Sequence, residues 1–351
     1  MPAERLSTAF RRPPTLWCSR EEDAAPADAV RRVTWAELFF DLVFVAVVAQ
    51  VGTPLATDYS FRGLARYALL LLVIWWAWNG YAVYATRFDN DDAPQRVMTF
   101  LQMVAVIFMA ANAEDALDSV SSAGFAAAYA LMRLVLVGQY VRASAIPPAR
   151  RLSREYAIGF GIAASCWLVS SLTPAPARYV CWAIALAVDL GTALITARHT
   201  RQLPPHAEHL PERFGLFTLI LLGESIVAIM KGIQAQPNWT PSAAGAAFLG
   251  IGVIFTCWWA YFEWAGAAGT RRIRTARDAR QFEVWNYAHL PLYLGLALTA
   301  VGVEHIVKLG GVASLHAEEI SLLASAIAMV VIALVVIAGT AARGRPVTPW
   351  E

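Results

Sequence analysis

The sequence predicts an all-α fold, a polytopic transmembrane bundle of about ten spans, on three observations. Of 351 residues, 58% are apolar and only 15% are charged, against about 45–50% and about 25% in an average soluble domain. Mean hydropathy is +0.49. Apolar runs of roughly 20 residues recur along the chain, the length a helix needs at 1.5 Å per residue to cross about 30 Å of hydrocarbon. This balance excludes a disordered chain, a disulfide scaffold and an ordinary water-soluble enzyme.

The elements follow in order. Residues 1–33 are rich in Arg, Pro, Ala and Glu and lack an apolar core, so they read as a cytoplasmic tail rather than a cleavable signal peptide. Spans are expected at 35–56, 64–86, 96–116, 123–142, 155–173, 178–197, 212–234, 242–265, 283–306 and 318–341. Residues 34–342 then form the transmembrane domain, with a first half 34–200 and a second half 201–342, and 343–351 are a short cytoplasmic tail. The joints carry breakers or charge, as in Arg87-Phe-Asp-Asn-Asp-Asp-Ala-Pro94, Pro147-Pro148, Thr173-Pro-Ala-Pro176, Pro204-Pro205 and Gln236-Pro-Asn-Trp-Thr-Pro241.

Orientation follows from the 28 Lys and Arg. The N-terminal tail, alternate inter-helix segments and the C-terminal tail hold 22 of them. The opposite segments hold Arg62, Arg66, Arg178, Lys231 and Lys308, and Arg133 lies inside the fourth span. The bias places both termini in the cytoplasm. Arg271-Arg272-Ile-Arg274-Thr-Ala-Arg277 could form a nucleic-acid or lipid patch, but it fits that topogenic pattern better, and no nucleic-acid partner is expected. Cys166, Cys181 and Cys257 lie in apolar runs and Cys18 in the tail, with no CxxC or zinc spacing, so neither a disulfide framework nor a cysteine metal site is implied.

Short matches suggest a parallel repeat of helices 1–3 and 7–9. Trp75-Trp-Ala-Trp-Asn79 echoes Trp258-Trp-Ala-Tyr-Phe262, Asp92-Ala-Pro-Gln95 echoes Asp278-Ala-Arg-Gln281, and Glu37 opens the first helix as Glu212 opens the seventh.

Ionisable groups within spans are costly, about 2.5–3.5 kcal/mol at mid-helix, and normally face the bundle interior with a partner. Glu37 and Asp41 are four apart and share one helix face. Either they form a carboxylate pair able to hold a proton or a metal ion, or Glu37 sits in interfacial water and Asp41 alone is buried. Glu224 falls about 18 Å deeper than Glu212 by helical rise, making it the most expensive carboxylate. Gly223 beside it permits close approach of a neighbour. Arg133 and Asp189 come out at similar depth and predict a structural ion pair, with Glu224 as the competing partner for Arg133. In the ninth helix Pro291 cannot donate to the carbonyl of Tyr287, so a kink is expected beside His289. Tyr84 and Trp264 suit an interfacial aromatic belt, and Trp75 and Trp76 either pack in the core or stack on a planar ligand. Ala243, Ala246, Ala247 and Gly250 give the eighth helix a close-packing face.

Glu37-Leu-Phe-Phe-Asp-Leu-Val-Phe-Val45, Glu212-Arg-Phe-Gly-Leu-Phe…Leu222-Gly-Glu224 and Tyr287-Ala-His-Leu-Pro-Leu292 together resemble the bacterial low temperature requirement protein A family from about residue 33 onward. The resemblance implies a multi-pass inner-membrane protein linked by name to growth in the cold, without an established molecular activity. It singles out Glu37, Phe40, Asp41, Glu212, Arg213, Gly223, Glu224, Tyr287 and His289.

No GxGxxG, P-loop, HExxH, GxSxG or CxxC arrangement is present, so no cofactor and no enzyme activity of those classes is expected. The leading expectation is a secondary transporter or ion-translocating protein in the lipid bilayer. Protons or small cations and an unidentified solute would meet a site of Asp41, Glu224, His289 and Tyr287, with Glu37, Glu212 and Arg213 at its cytoplasmic mouth. The alternatives are a non-transporting sensor or envelope assembly factor, and an intramembrane enzyme using His289 and the carboxylates on a lipid or quinone near Trp75 and Trp76.

Overall fold

The computed structural model describes residues 13–16, 33–56, 58, 60–89, 92–117, 121–199, 202–236, 240–267, 269, 271–311 and 316–340. Ten helices among them are long and apolar enough to cross a membrane. They are α1 (Trp35–Gly52), α2 (Phe61–Arg87), α3 (Ala93–Ala111), α4 (Ser121–Ala143), α5 (Arg150–Leu172), α6 (Ala177–Thr196), α7 (His209–Gln234), α8 (Pro241–Trp259), α9 (Ala276–Lys308) and α10 (Ala317–Gly339). Each matches one expected span. The tails expected at 1–33 and 343–351 lie outside the described residues save for 13–16 and Val33, and so does Cys18.

Local chemistry sets the ends. Asp92 caps α3 by accepting from the amide of Gln95 at 2.9 Å, and Thr240 caps α8 by accepting from Ala243 at 3.2 Å, each just before a proline that needs no acceptor for its nitrogen. Thr275 and Asp278 form a reciprocal capping box at the start of α9. That helix runs unbroken through Pro291. Helical structure continues on both sides of Pro291, which itself offers no N–H to the carbonyl of Tyr287. At 33 residues α9 is about 50 Å long, well beyond the hydrocarbon thickness. After α8 the chain widens into a π turn, Ala260–Trp264, closed by the amide of Ala265 on the carbonyl of Ala260 at 2.8 Å.

The chain divides into two compact units. The first contains residues up to Gln50 and Val73–Leu210; the second contains Val51–Leu72 and the chain from Pro211 onward.

In the first unit α4 packs on α3 and α5, and α5 on α6. Its core is aromatic. Tyr140 stacks on Tyr156 at 4.8 Å and meets Tyr84 edge-on at 5.0 Å, and Leu16, Phe88, Leu136, Leu152 and Phe160 close around them. A two-residue antiparallel pairing joins β1 (Thr15–Leu16) to β2 (Phe88–Asp89), with Leu16 opposite Phe88. Tyr84 therefore belongs to this core and donates to the carbonyl of Gln139 at 3.3 Å, contrary to its expected place in an interfacial belt. Trp75 and Trp76 are buried too, packed 6.0 Å from each other.

In the second unit α9 packs on α8 and α10. The buried face of α8 is Ala243, Ala247, Gly250 and Ile254, with Ala246 half-buried. A Cβ on Gly250 would lie 2.3 Å from Cγ1 of Val303 on α9, so only glycine permits this approach. Trp258 is half-buried and Trp259 exposed, whereas their expected repeat counterparts Trp75 and Trp76 are buried.

Both units are turned inside out relative to a water-soluble domain. Asp41, Arg133, Asp189, Arg213 and His289 are fully buried, while Ile158 is 64% and Phe248 76% exposed. Charge sequestered inside and large apolar side chains outside is the arrangement that lipid, not water, favours.

Candidate functional site

In the first unit the titratable groups gather at the start of α1. Thr34 precedes the helix. Its amide and hydroxyl donate to Oε2 of Glu37 at 2.9 and 3.0 Å, and its Oγ1 accepts from the amide of Glu37 at 3.3 Å. The same carboxylate oxygen lies 3.1 Å from Nε2 of His209, which is fully buried at the first position of α7. His206 holds that end of α7. Its Nδ1 accepts from the amides of His209 at 3.0 Å and Glu208 at 3.2 Å, so His206 caps the helix.

Asp41 lies one turn further along α1, about 6 Å by helical rise. It is fully buried, and Oδ1 accepts from Nε1 of Trp78 on α2 at 2.7 Å. The burial of Glu37 goes against the alternative that leaves it in interfacial water, and the two carboxylates have separate donors. His209 and Trp78 were not singled out as partners. His209 stands at the Pro204-Pro205 joint, where a histidine gives no sequence signal of its burial, and Trp78 looked like one more member of an aromatic run.

The same unit contains a buried ion pair. Nη2 of Arg133 on α4 lies 3.2 Å from Oδ2 of Asp189 on α6, with both side chains fully buried. Tyr129 joins them. Its hydroxyl accepts from Arg133 Nε at 3.1 Å and Nη2 at 2.8 Å and donates to Asp189 at 3.3 Å. Arg133 Nη2 also donates to the carbonyl of Trp76 at 3.3 Å, and the guanidinium faces the rings of Tyr129 and Phe160 at 5.2 and 5.0 Å. Both charges are thus enclosed by donors, acceptors and π faces within one unit.

In the second unit His289 is enclosed by Phe214, Tyr261, Trp285 and Tyr293. Nδ1 is 2.7 Å from the carbonyl of Trp285, which can only accept, so that nitrogen carries a hydrogen. Nε2 is then free to accept from the hydroxyl of Tyr261 at 3.0 Å. Both ring nitrogens are satisfied by the neutral imidazole. Tyr261 comes from the π turn, an irregularity that periodicity in the sequence does not reveal.

The other expected site residues have varied surroundings. Glu224 is not deeply buried. Its side chain is 30% exposed and its carboxylate lies 3.7 Å from Nζ of Lys231. A Cβ on Gly223 would meet nothing within 4 Å, so no neighbour approaches there. Arg213 is fully buried rather than at an aqueous mouth, with Glu212 and Tyr287 half-buried. Among the described residues, no three His, Cys, Asp or Glu side chains gather to hold a metal ion.

The site of the first unit therefore offers a buried carboxylate–imidazole contact and, one turn along, a second buried carboxylate. Such groups can exchange a proton by small movements. The second unit offers an imidazole locked in one tautomer.

Residues 32–349 match the family model described as bacterial low temperature requirement A protein (LtrA). Among curated proteins, an uncharacterised protein of Rhizobium meliloti (strain 1021) is 28% identical over 286 residues, covering 78% of this chain and 69% of the relative. No solved structure matches the chain.

Proposed function

This chain belongs to the bacterial low temperature requirement A (LtrA) family, and from that premise we propose that it is a secondary transporter or ion-translocating protein of the bacterial inner membrane, coupled to protons, with both termini cytoplasmic. The observation that carries the reading is the contact of Glu37 with His209, with Asp41 buried one turn away on the same helix. A carboxylate buried this deeply is costly to keep and is the kind of group that marks ion pathways in membranes. Protonation of Asp41 removes its charge and converts one oxygen from acceptor to donor. Its contact with Trp78 then changes, and the equilibrium between two packings of α1 and α2 shifts. That is the step by which a carrier couples a gradient to a solute. The orientation rests on the distribution of basic residues.

On this reading the proton site is Glu37, Asp41 and His209, and it leaves out Glu224, which meets Lys231, and His289, whose nitrogens are already engaged. The test is proteoliposomes under an imposed pH gradient, with an entrapped pH-sensitive dye. The wild type should dissipate the gradient, and Asp41→Asn and Glu37→Gln should not. Asn at 41 retains an oxygen that accepts from Trp78, so the fold survives while the proton site is lost. Unchanged dissipation in both variants would reject the assignment.

One observation favours a second reading, a non-transporting sensor or envelope assembly factor. Asp41, Glu37, Arg133, Asp189 and His289 each have a partner inside their own unit, as in a static core. That reading predicts a copurifying partner protein and no flux.

A further inference from the structure

The second unit carries an apolar groove of about 430 Å³ between α8, α9 and α10. Leu249, Gly252 and Val253 line it from α8, and Val330 and Leu334 from α10. Its two threonines already donate their hydroxyl hydrogens within their own helices, Thr256 to the carbonyl of Gly252 at 2.8 Å and Thr299 to that of Gly295 at 2.7 Å. The size suits one small-molecule-sized occupant, and the lining, mostly aliphatic with Cys257 and the two threonines, favours hydrocarbon.

The end of the groove at Ala260 and Leu334 leads to a basic loop. Leu334 is six residues, or about 9 Å of helix, from Thr340. Arg271 is tied to that point, donating to Thr340 Oγ1 at 3.1 Å and to the carbonyl of Gly266 at 3.3 Å, with its guanidinium 5.4 Å from the ring of Trp285. Arg271 Nε is buried without a hydrogen-bond partner. Arg272, Arg274 and Arg277 beside it are exposed. An apolar groove at membrane depth that runs toward clustered guanidinium groups matches one kind of molecule, a hydrocarbon chain bearing an anionic head.

We propose that this groove is a binding site for an anionic phospholipid, with one acyl chain between α8 and α10 and the phosphate at the Arg271–Arg277 loop. The site is independent of the proton chemistry in the first unit. Gly252 is the place to block it, because a Cβ there meets nothing within 4 Å in the protein and projects where the groove is lined.

Full-length protein, delipidated in detergent and titrated with dioleoyl phosphatidylglycerol or dioleoyl phosphatidylcholine, is read by native mass spectrometry. The wild type should retain one phosphatidylglycerol per chain in preference to phosphatidylcholine. Gly252→Phe should lose that molecule, and so should Val331→Trp, a second groove-lining change at an exposed position that keeps the test available if the first fails to fold. Arg272→Gln with Arg274→Gln should weaken phosphatidylglycerol alone, by about fivefold for each charge removed. Equal retention of both lipids by the wild type, or undiminished binding in the groove variants, overturns the proposal. A dimer that Gly252→Phe dissociates also overturns it, since the groove would then hold a helix of a second copy.

Discussion

Arg133 and Asp189 meet at 3.2 Å with both side chains fully buried, and Tyr129 is bonded to each. Removing one charge leaves the other enclosed without compensation, a loss of about 3–5 kcal/mol for a buried pair. Arg133→Leu alone should therefore fail to express or should unfold at far lower temperature in detergent. Arg133→Leu with Asp189→Leu should recover most of the loss. Recovery should be incomplete until Tyr129→Phe is added, because the hydroxyl otherwise loses both partners. Fluorescence-detected gel filtration after heating ranks the four proteins, and a double variant no better than the single one would contradict the pairing.

Trp78 and Asp41 allow a separate test of fold and function. Trp78→Phe removes the only N–H of that side chain, which donates to Asp41 at 2.7 Å, and leaves a small cavity where the buried indole's second ring stood, adding to the cost. A hydrogen bond to a charged group contributes roughly 1.5–3 kcal/mol, so thermal stability should fall by that order. Asp41→Asn should cost clearly less, since an amide oxygen still accepts. The opposite ranking in thermal melts would mean that the Trp78 contact is incidental.

Much of the architecture was legible because a bilayer imposes a length and a polarity that single residues carry openly. All ten helices, the close-packing face of α8 and the partnership of Arg133 with Asp189 follow from run length, small residues and depth along a helix. Depth does not say which way a side chain points. Glu224 sits far along α7, yet its side chain is partly exposed and lies near Lys231, two turns on. Tyr84 lies near a helix end but turns into an aromatic core built from α4, α5 and the short strands, contacts set by tertiary packing. His209 carries no such signal in the sequence either, because its contact with Glu37 joins residues 172 positions apart. Pro291 is a local signal that does not end its element, since α9 continues through it while packed against α8 and α10.

Glycines 223 and 250 have opposite surroundings and should respond oppositely to a methyl group. At Gly250 the added carbon would stand 2.3 Å from Val303 and push α8 from α9, an overpacking cost of about 1–3 kcal/mol. At Gly223 nothing lies within 4 Å, so Gly223→Ala should change stability by less than about 0.5 kcal/mol. Paired melting curves decide this. Equal sensitivity at the two positions would mean that residue 223 is covered in the membrane by something outside this chain, such as a second copy.

His289 and Tyr261 provide the sharpest division between packing and proton chemistry. Tyr261→Phe removes the donor to Nε2 and leaves a buried acceptor unsatisfied, at a cost of roughly 1–3 kcal/mol. His289→Phe combined with Tyr261→Phe removes both ends of that bond and substitutes a ring among Phe214, Trp285 and Tyr293, so stability should partly return. Only the carbonyl of Trp285 then loses a side-chain donor, and as the acceptor of a helix turn it retains its backbone partner at 289. If the proton site lies at Glu37, Asp41 and His209, the double variant should dissipate a pH gradient in proteoliposomes as fast as the wild type. A stable double variant with no flux would move the proton pathway into the second unit and require His289 as a working group.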